Sequence, residues 1–188
     1  MKATLENGQF APIRDCYIEA GGVRWPMYIL PEISDSHAAQ YTAQNAVGRS
    51  IPNYIFNQGG DRNIGWQVKL YADSYERLLY NFYFLRFIES LTYPRIMQGN
   101  LPFAPPLIAK VKCGALLGDY SQCVILENYS VKFPTDCPWA EVVSDPNVSG
   151  GGSGRTYFPY KLEIDLTFKA VYDAGTLPGS ERIITEGN

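Results

Sequence analysis

Hydrophobic and polar residues alternate clearly in two stretches of the chain, and this period of two is typical of half-buried β-strands. Trp66, Val68 and Leu70 alternate with Gln67 and Lys69 in the first stretch. In the second stretch, near the C-terminus, the apolar positions are Leu162, Ile164, Leu166, Phe168 and Ala170. We therefore expect two strands that each bury one face.

The segment that follows the first strand has helical spacing. Apolar residues recur every three or four positions, which places them on one helix face: Leu78, Phe82, Leu85, Ile88 and Leu91. Asp73 lies three residues before Glu76, a variant of the capping box, and Tyr93 before Pro94 disfavours further helix. The pattern predicts a helix over about residues 74–92.

The same helix carries aromatic residues that fall outside this apolar face: Tyr80, Tyr83, Phe84 and Phe87. A helix that is apolar nearly all round needs cover on both sides. One side can pack on the chain's own sheet. The other can pack on a second layer of the same domain or on a neighbouring subunit, and both alternatives stay open. These four residues are our interface candidates.

Shorter apolar runs bounded by glycine and proline predict further strands. Predicted strands flank Gly21-Gly22, precede a turn at residues 58–61, and flank a loop at residues 114–121. We expect a β-rich α+β domain over residues 16–173, an antiparallel β-barrel or sandwich with one flanking helix. Residues 1–15 and 174–188 are expected to be terminal arms, and residues 144–156 a flexible loop.

Composition and charge argue against nucleic-acid binding and against membrane association. A chain of 188 residues with 46% hydrophobic content suits one well-packed domain. A net charge of -3 and a pI near 5.2 offer no basic surface for gripping nucleic acid. No apolar run approaches the ~20 residues that span a bilayer, and no secretory leader is expected. We expect no membrane association.

No residue pattern predicts a catalytic or cofactor site. His37 is the only histidine and lies in a polar stretch, which gives no local support for pairing with a cysteine nucleophile. Glu32 and Asp35 are close enough in sequence for an acid–base pair, but two surface carboxylates in a turn are ordinary. The glycine run that ends at Arg155 lacks the G-K-[ST] ending of a phosphate-binding loop. We expect a protein that is not an enzyme and that needs no cofactor.

The cysteines of the chain are Cys16, Cys113, Cys123 and Cys137. They form no C-x-x-C pair, so we expect no metal site. Cys113 and Cys123 lie five residues either side of Gly118, and a hairpin turning there would place them opposite each other. They would then form a disulfide or remain two reduced, buried thiols that act as small hydrophobic residues.

Several short motifs occur in an order that resembles a known family: Tyr28–Pro31, Val47–Pro52, Arg62–Trp66, Ser90–Pro94 and Pro105-Pro106-Leu107. Over roughly residues 25–173, the chain resembles the tail-tube initiator and baseplate-hub tube proteins of contractile-tailed bacteriophages. The lysin-motif domain that some members of this family carry is not evident here.

The resemblance implies a tail-tube-like β-barrel that assembles as a homo-oligomeric ring, a hexamer. Such a ring belongs to the virion, in the tail baseplate, and is assembled in the host cytoplasm. It connects the central spike hub to the tail tube and templates tube polymerisation. Its implied partners are the tail tube protein and the baseplate hub and spike proteins, while DNA passes through the lumen without specific binding.

Two other function classes are compatible with the sequence. A small β-barrel module could bind a glycan or an apolar ligand, because tyrosine-rich surfaces suit both sugars and protein partners. A wall-degrading hub hydrolase would have to use carboxylates such as Glu32 or Asp35.

Overall fold

The computed structural model describes residues 5–6, 9–44, 51–96, 103–117, 121–143 and 155–171. These residues contain one helix, α1 (Tyr75–Ser90), and thirteen strands. The strands are β1 (Leu5–Glu6), β2 (Gln9–Phe10), β3 (Cys16–Ala20), β4 (Val23–Pro26), β5 (Glu32–Gln44), β6 (Asn53–Tyr71), β7 (Arg95–Ile96), β8 (Phe103–Ala104), β9 (Ala109–Cys113), β10 (Gln122–Lys132), β11 (Trp139–Val143), β12 (Arg155–Pro159) and β13 (Lys161–Ala170). The predicted β-rich α+β class with one helix is confirmed.

A seven-stranded sheet organises the described part of the chain, in the order β4-β3-β9-β10-β13-β6-β5. Every neighbouring pair in it is antiparallel. A barrel would require β4 and β5, the strands at the two ends of this order, to pair with each other. They do not pair in this part of the chain, so the sheet is open and the predicted barrel closure is wrong.

The two strands with alternating sequence lie side by side in the middle of the sheet. β13 pairs with β6, and Leu166 lies directly opposite Trp66. The apolar positions of both strands are buried on one face, while Lys69 and the polar positions of β13 lie on the other. The period of two in the sequence therefore predicted both the strands and the face that each one buries.

A second layer covers the apolar face of the sheet. α1 begins after Ser74, whose Oγ accepts a hydrogen bond from the Arg77 backbone N–H, so Ser74 and not Asp73 is the N-cap. Leu78, Phe84 and Ile88 of the helix are fully buried. The β11–β12 hairpin completes the layer with Val142 and Phe158. The layer that faces the seven-stranded sheet thus consists of the helix and the two-stranded β11–β12 sheet.

The two glycine pairs of the first half of the chain behave differently. Gly21 and Gly22 have positive φ angles of 59° and 80° and form the predicted hairpin turn between β3 and β4. The predicted turn at residues 58–61 is wrong, because β6 runs straight through these residues. A Cβ on Gly60 would lie 2.7 Å from the Ala38 carbonyl oxygen of β5, so this glycine permits a close approach of two strands.

The predicted arms and loop are only partly within the described residues. In the N-terminal arm, β1 pairs with β2 in a two-residue ladder. Arg155 and Thr156, at the end of the predicted flexible loop, begin β12. Residues 144–154 and the predicted C-terminal arm lie outside the described residues.

Candidate functional site

The outer half of the β5–β6 hairpin extends away from the core. We call residues 38–44 of β5 and residues 51–60, which include the first eight residues of β6, the hairpin arm; residues 45–50 between them lie outside the described residues. All of residues 38–44 and 53–59 are exposed, so neither face of this ribbon is covered by the described residues of its own chain. An isolated two-stranded ribbon is at best marginally stable in water. A further contact would therefore stabilise the arm.

One face of the hairpin arm is aromatic. Tyr41 lies opposite Phe56, and Ala43 lies opposite Tyr54, so the four side chains share one side of the ribbon. The Tyr41 and Phe56 rings meet edge to face with centroids 5.6 Å apart. Tyr54 is 68% exposed. Grouped exposed aromatic rings of this kind are enriched at protein–protein interfaces.

The spacing of apolar residues in the sequence does not identify this aromatic face. Tyr54, Ile55 and Phe56 follow one another directly, so the apolar residues point alternately to both faces of the strand. Ile55 on the second face is also exposed, as is Ile51. Consecutive apolar residues beside the polar stretch of β5 were the signal that could have identified the arm as an interaction surface.

An ion pair anchors the base of the hairpin arm. Arg62 Nε donates hydrogen bonds to both carboxylate oxygens of Asp35, at 2.9 and 3.1 Å, and Nη2 of the same guanidinium donates a third. These hydrogen bonds and the positive charge of Arg62 lower the pKa of Asp35 below its usual range. The pair crosses from β6 to β5 and holds the two strands together where the arm leaves the sheet.

The aromatic residues predicted as an interface on α1 are largely covered by the chain itself. Trp25 of β4 packs against Tyr80, Phe84 and Phe87, with ring centroids 4.9, 5.9 and 5.6 Å away. Phe84 is fully buried, so its assignment to an interface is wrong. Tyr80, Tyr83 and Phe87 are half-buried, and their part in an interface stays a prediction.

Tyr80 also has a role within the chain. Its hydroxyl donates a hydrogen bond of 2.7 Å to the Pro26 carbonyl oxygen, which joins α1 to the end of β4. Burial raises the pKa of Tyr80 well above its usual value, because the phenolate would lose hydration there. The side chain therefore remains a neutral hydrogen-bond donor.

A cavity of about 430 Å³ opens between residues 27–29, the end of β6 and the first turns of α1. Its apolar lining includes four residues: Met27, Ile29, Val68 and Leu70. Asn81, which is 2% exposed, also lines it and is the only buried polar residue in the described part of the chain. The Arg77 guanidinium lies over the Tyr28 ring, 3.3 Å from its centroid, at the same cavity. The size and the mostly apolar lining suit a small apolar ligand.

The candidate catalytic residues are not brought together. His37 is exposed on β5, opposite Arg62, and at least two strands separate it from the cysteines of β3, β9 and β10. Glu32 and Asp35 are three residues apart along one strand, so their side chains point to opposite faces. This arrangement does not provide the paired carboxylates that a hydrolase would need.

The cysteine register differs from the predicted one. Cys123 lies opposite Lys110, whereas Cys113 lies opposite Cys16. The predicted placement of Cys113 opposite Cys123 is therefore wrong, and with it the possible disulfide between them, because the partner of Cys123 on β9 is three residues before Cys113. All four cysteines of the chain are free thiols.

The sheet face away from α1 carries ion pairs that balance one another. Lys132 Nζ lies 2.8 Å from an Asp165 carboxylate oxygen, and Gln67 donates to the same carboxylate at 2.9 Å. These two hydrogen bonds lower the pKa of Asp165. Lys169 and Asp61 pair in the same way at 2.8 Å. The face is partly exposed and holds charges of both signs, which suits a surface in contact with solvent.

Within the described ranges, no three His, Cys, Asp or Glu side chains are grouped closely enough to bind a metal ion. No helix in these ranges combines the length and the apolar character that crossing a bilayer requires. No protein-family model matches the chain, and no curated protein matches its sequence.

Proposed function

We propose that this chain is a structural, non-enzymatic virion protein that forms the tail-tube initiator ring of a phage baseplate. The ring connects the spike hub to the tail tube and templates tube polymerisation. The observation that carries the proposal is the hairpin arm, whose aromatic face is left uncovered by the described part of its own chain. The motifs between residues 25 and 173 that resemble baseplate tube proteins supply the context.

The dimensions of the hairpin arm suit contact with a second copy. Seven residues, 38–44, span roughly 24 Å at ~3.4 Å per residue. Because neighbouring strands lie ~4.8 Å apart, an arm of this length crosses about five strands of an adjacent sheet. An arm that leaves one subunit and lies on a different surface of the next forms a head-to-tail contact, and such contacts close into a ring when the rotation between neighbours divides a full turn evenly.

The two edges of the open sheet support the same arrangement. The outer edge of β5 has no strand partner among the described residues, and neither has the outer edge of β4. A long exposed edge beside apolar residues is an aggregation hazard for a lone molecule. Subunits that cover each other's edges around a ring remove that hazard and leave the charge-balanced face of β10, β13 and β6 for the solvent-filled lumen.

Self-association of the purified chain tests the proposal. Sedimentation velocity over a concentration series and negative-stain electron microscopy should show closed rings. The Tyr41→Thr/Phe56→Thr double variant should sediment as a monomer, because threonine keeps the strand propensity but removes the aromatic face. Its far-UV circular dichroism should match that of the wild type.

A matched control variant also replaces two large apolar side chains, but at positions outside the hairpin arm. Ile125 and Tyr157 are 39% and 67% exposed on β10 and β12, so Ile125→Thr/Tyr157→Thr should leave ring formation intact. A wild-type chain that stays monomeric at every concentration would overturn the proposal. Equal loss of rings in both double variants would show that the arm has no special part in assembly.

The cavity beside Asn81 supports a second candidate, a module that binds an apolar ligand. Its lining favours an apolar molecule over a glycan, because a sugar needs several polar partners and the cavity wall is mostly apolar. A thermal-shift screen of fatty acids and aromatic amides tests this. An increase in melting temperature that is lost in Asn81→Leu would favour the binding module, and no response to any compound would favour the structural role.

A further inference from the structure

Cys16 and Cys113 form a buried thiol pair that the proposed function does not use. Cys16 is the first residue of β3, and Cys113 is the last residue of β9. They are directly opposite each other, and their Sγ atoms are 3.1 Å apart. Each residue is only 1% exposed. The two thiols therefore face each other across two adjacent strands, shielded from solvent.

The backbone geometry at this position suits a cross-strand bond. The Cys16 carbonyl accepts a hydrogen bond from the Met27 N–H at 2.8 Å, and the Gly114 N–H donates to the Asp15 carbonyl at 2.8 Å. Cys16 and Cys113 are thus a non-hydrogen-bonded antiparallel pair, with Cα atoms ~4.5 Å apart. Disulfides span Cα separations of ~4.4–6.8 Å. The strands need not move apart or together for the bond to form.

We propose that Cys16 and Cys113 are a redox pair, which a peroxide converts from two buried thiols into a disulfide that ties β3 to β9. In the first step, one thiol is oxidised to a sulfenic acid, and the peroxide O–O bond breaks with release of one water. In the second step, the other sulfur attacks the sulfenic sulfur, and the S–O bond breaks with release of a second water. Two thiols lose two electrons in total, and one hydrogen peroxide is reduced to two waters.

Burial makes this pair slow to react while the strands remain closed. Desolvation, together with the neighbouring Cys113 thiol, raises the pKa of Cys16 far above its usual value, so little of the reactive thiolate is present. Oxidation therefore needs a local opening. Both cysteines lie at strand ends, next to Asp15 and Gly114, whose φ angles of 59° and 55° mark a tight reversal of the chain. Strand ends of this kind open more readily than strand centres.

The disulfide would join two distant parts of the chain. The two cysteines are 97 residues apart in sequence, so the bond would close a long loop and restrict the unfolded chain. It would fasten the β3–β4 hairpin, at one end of the sheet, to β9. The oxidised protein should therefore need a higher urea concentration for half-unfolding than the reduced protein. This inference does not depend on ring assembly.

Thiol counting and peptide mapping of the full chain test the proposal. The protein is treated with hydrogen peroxide, denatured without reductant, and alkylated. We expect the number of free thiols to fall from four to two, with loss of two hydrogen atoms in mass and a peptide that links Cys16 to Cys113. Dithiothreitol should restore four thiols and the lower urea midpoint.

Two variants provide controls. Cys123→Ser/Cys137→Ser removes the other thiols, so its two remaining thiols should both disappear on oxidation. Cys16→Ser should show no internal cross-link to Cys113. Retention of four thiols in the wild type, a link between Cys113 and Cys123, or conversion to sulfinic and sulfonic acids without a link would each overturn the proposal. If Cys16→Ser fails to fold, the map of the wild-type protein still decides.

Discussion

Tyr41 and Phe56 lie directly opposite each other on the hairpin arm, with ring centroids 5.6 Å apart, and both rings are more than half exposed. A cross-strand aromatic pair stabilises a sheet by about 0.5–1 kcal/mol. Fixing the backbone of one residue costs about 1–2 kcal/mol, so this pair alone cannot keep the ribbon ordered. The order of the arm therefore depends on backbone pairing and on further contacts.

Hydrogen exchange should distinguish the hairpin arm from the core. In the monomer, amides of residues 38–44 and 53–60 should exchange through local opening, because exposed ribbons contain few buried contacts. Amides of residues 64–70 and 162–168 should exchange only through global unfolding. Exchange mass spectrometry measures both rates. On assembly, the arm should gain at least about tenfold protection, a change of ~1.4 kcal/mol or more.

The monomeric Tyr41→Thr/Phe56→Thr variant is the reference for this experiment. Its arm should exchange at the same rate at every protein concentration. Fast exchange of the wild-type arm within assembled particles would contradict the assignment of the arm to an interface.

Trp25 should be a major stabilising residue although it is only half-buried. Its indole packs on three aromatic side chains of α1, and its Nε1–H has no hydrogen-bond partner in the described part of the chain. Trp25→Ala should lower the free energy of unfolding by about 3 kcal/mol, and Trp25→Phe by about 1 kcal/mol, since the aromatic contact survives and no hydrogen bond is lost. Urea denaturation measures both values.

Trp139 provides the matched control for Trp25. It is 44% exposed and stacks on Phe133, with centroids 6.2 Å apart. Trp139→Ala should therefore cost about 1 kcal/mol. If the two alanine variants lowered the free energy of unfolding equally, the packing of Trp25 on α1 would contribute no more stability than an exposed aromatic pair.

The case of α1 shows what periodicity predicts and where it stops. The spacing of Leu78, Leu85 and Ile88 predicted a helix with a buried face, and each of these residues is buried. The aromatic residues outside that face also predicted that the opposite side of the helix would pack against another part of the protein. It did not identify Trp25 as that cover, because a contact between residues so distant in the chain is set by the β3–β4 hairpin and not by any local pattern.

The hairpin arm could not be predicted for a related reason. A period of two marks a strand only when one of its faces is buried, as at Trp66 and Leu70. Residues 38–44 are exposed on both faces, so their sequence lacks alternation and resembles a loop. Gly59-Gly60 also favours the prediction of a turn, since glycine pairs are common in turns. Here Gly60 is needed because Ala38 of the partner strand lies too close for a side chain.

Asn81 should reduce the stability of the isolated chain. It is 2% exposed among apolar residues beside the cavity, and burying an amide costs about 1–3 kcal/mol where its hydrogen bonds with water are not replaced. Asn81→Leu should therefore raise the free energy of unfolding by about 1 kcal/mol, and Asn81→Asp should lower it by about 3 kcal/mol because a charge would be buried. Urea denaturation measures both changes.

The exposed Asn128 of β10 serves as the control for Asn81. Asn128→Leu should change the free energy of unfolding by less than about 0.5 kcal/mol. Destabilisation by Asn81→Leu would show that the amide is needed to hold the helix, against this prediction.

Asp35 should make the stability of the β5–β6 pairing depend on pH. Its pKa in the folded chain is lowered, first by hydrogen bonds from Arg62, whereas the unfolded value is about 3.9. The stabilisation is therefore complete above about pH 4 and disappears as the pH falls through the lower, folded pKa. Asp35→Asn should lower the free energy of unfolding by about 1 kcal/mol at neutral pH, and the difference from the wild type should shrink as the pH falls below about 4 and Asp35 takes up a proton in the folded chain. Urea denaturation at a series of pH values measures this difference, with Asp136→Asn in the exposed loop after β10 as the control. A difference that stays constant across the series would show that Asp35 acts through its shape and not through its charge.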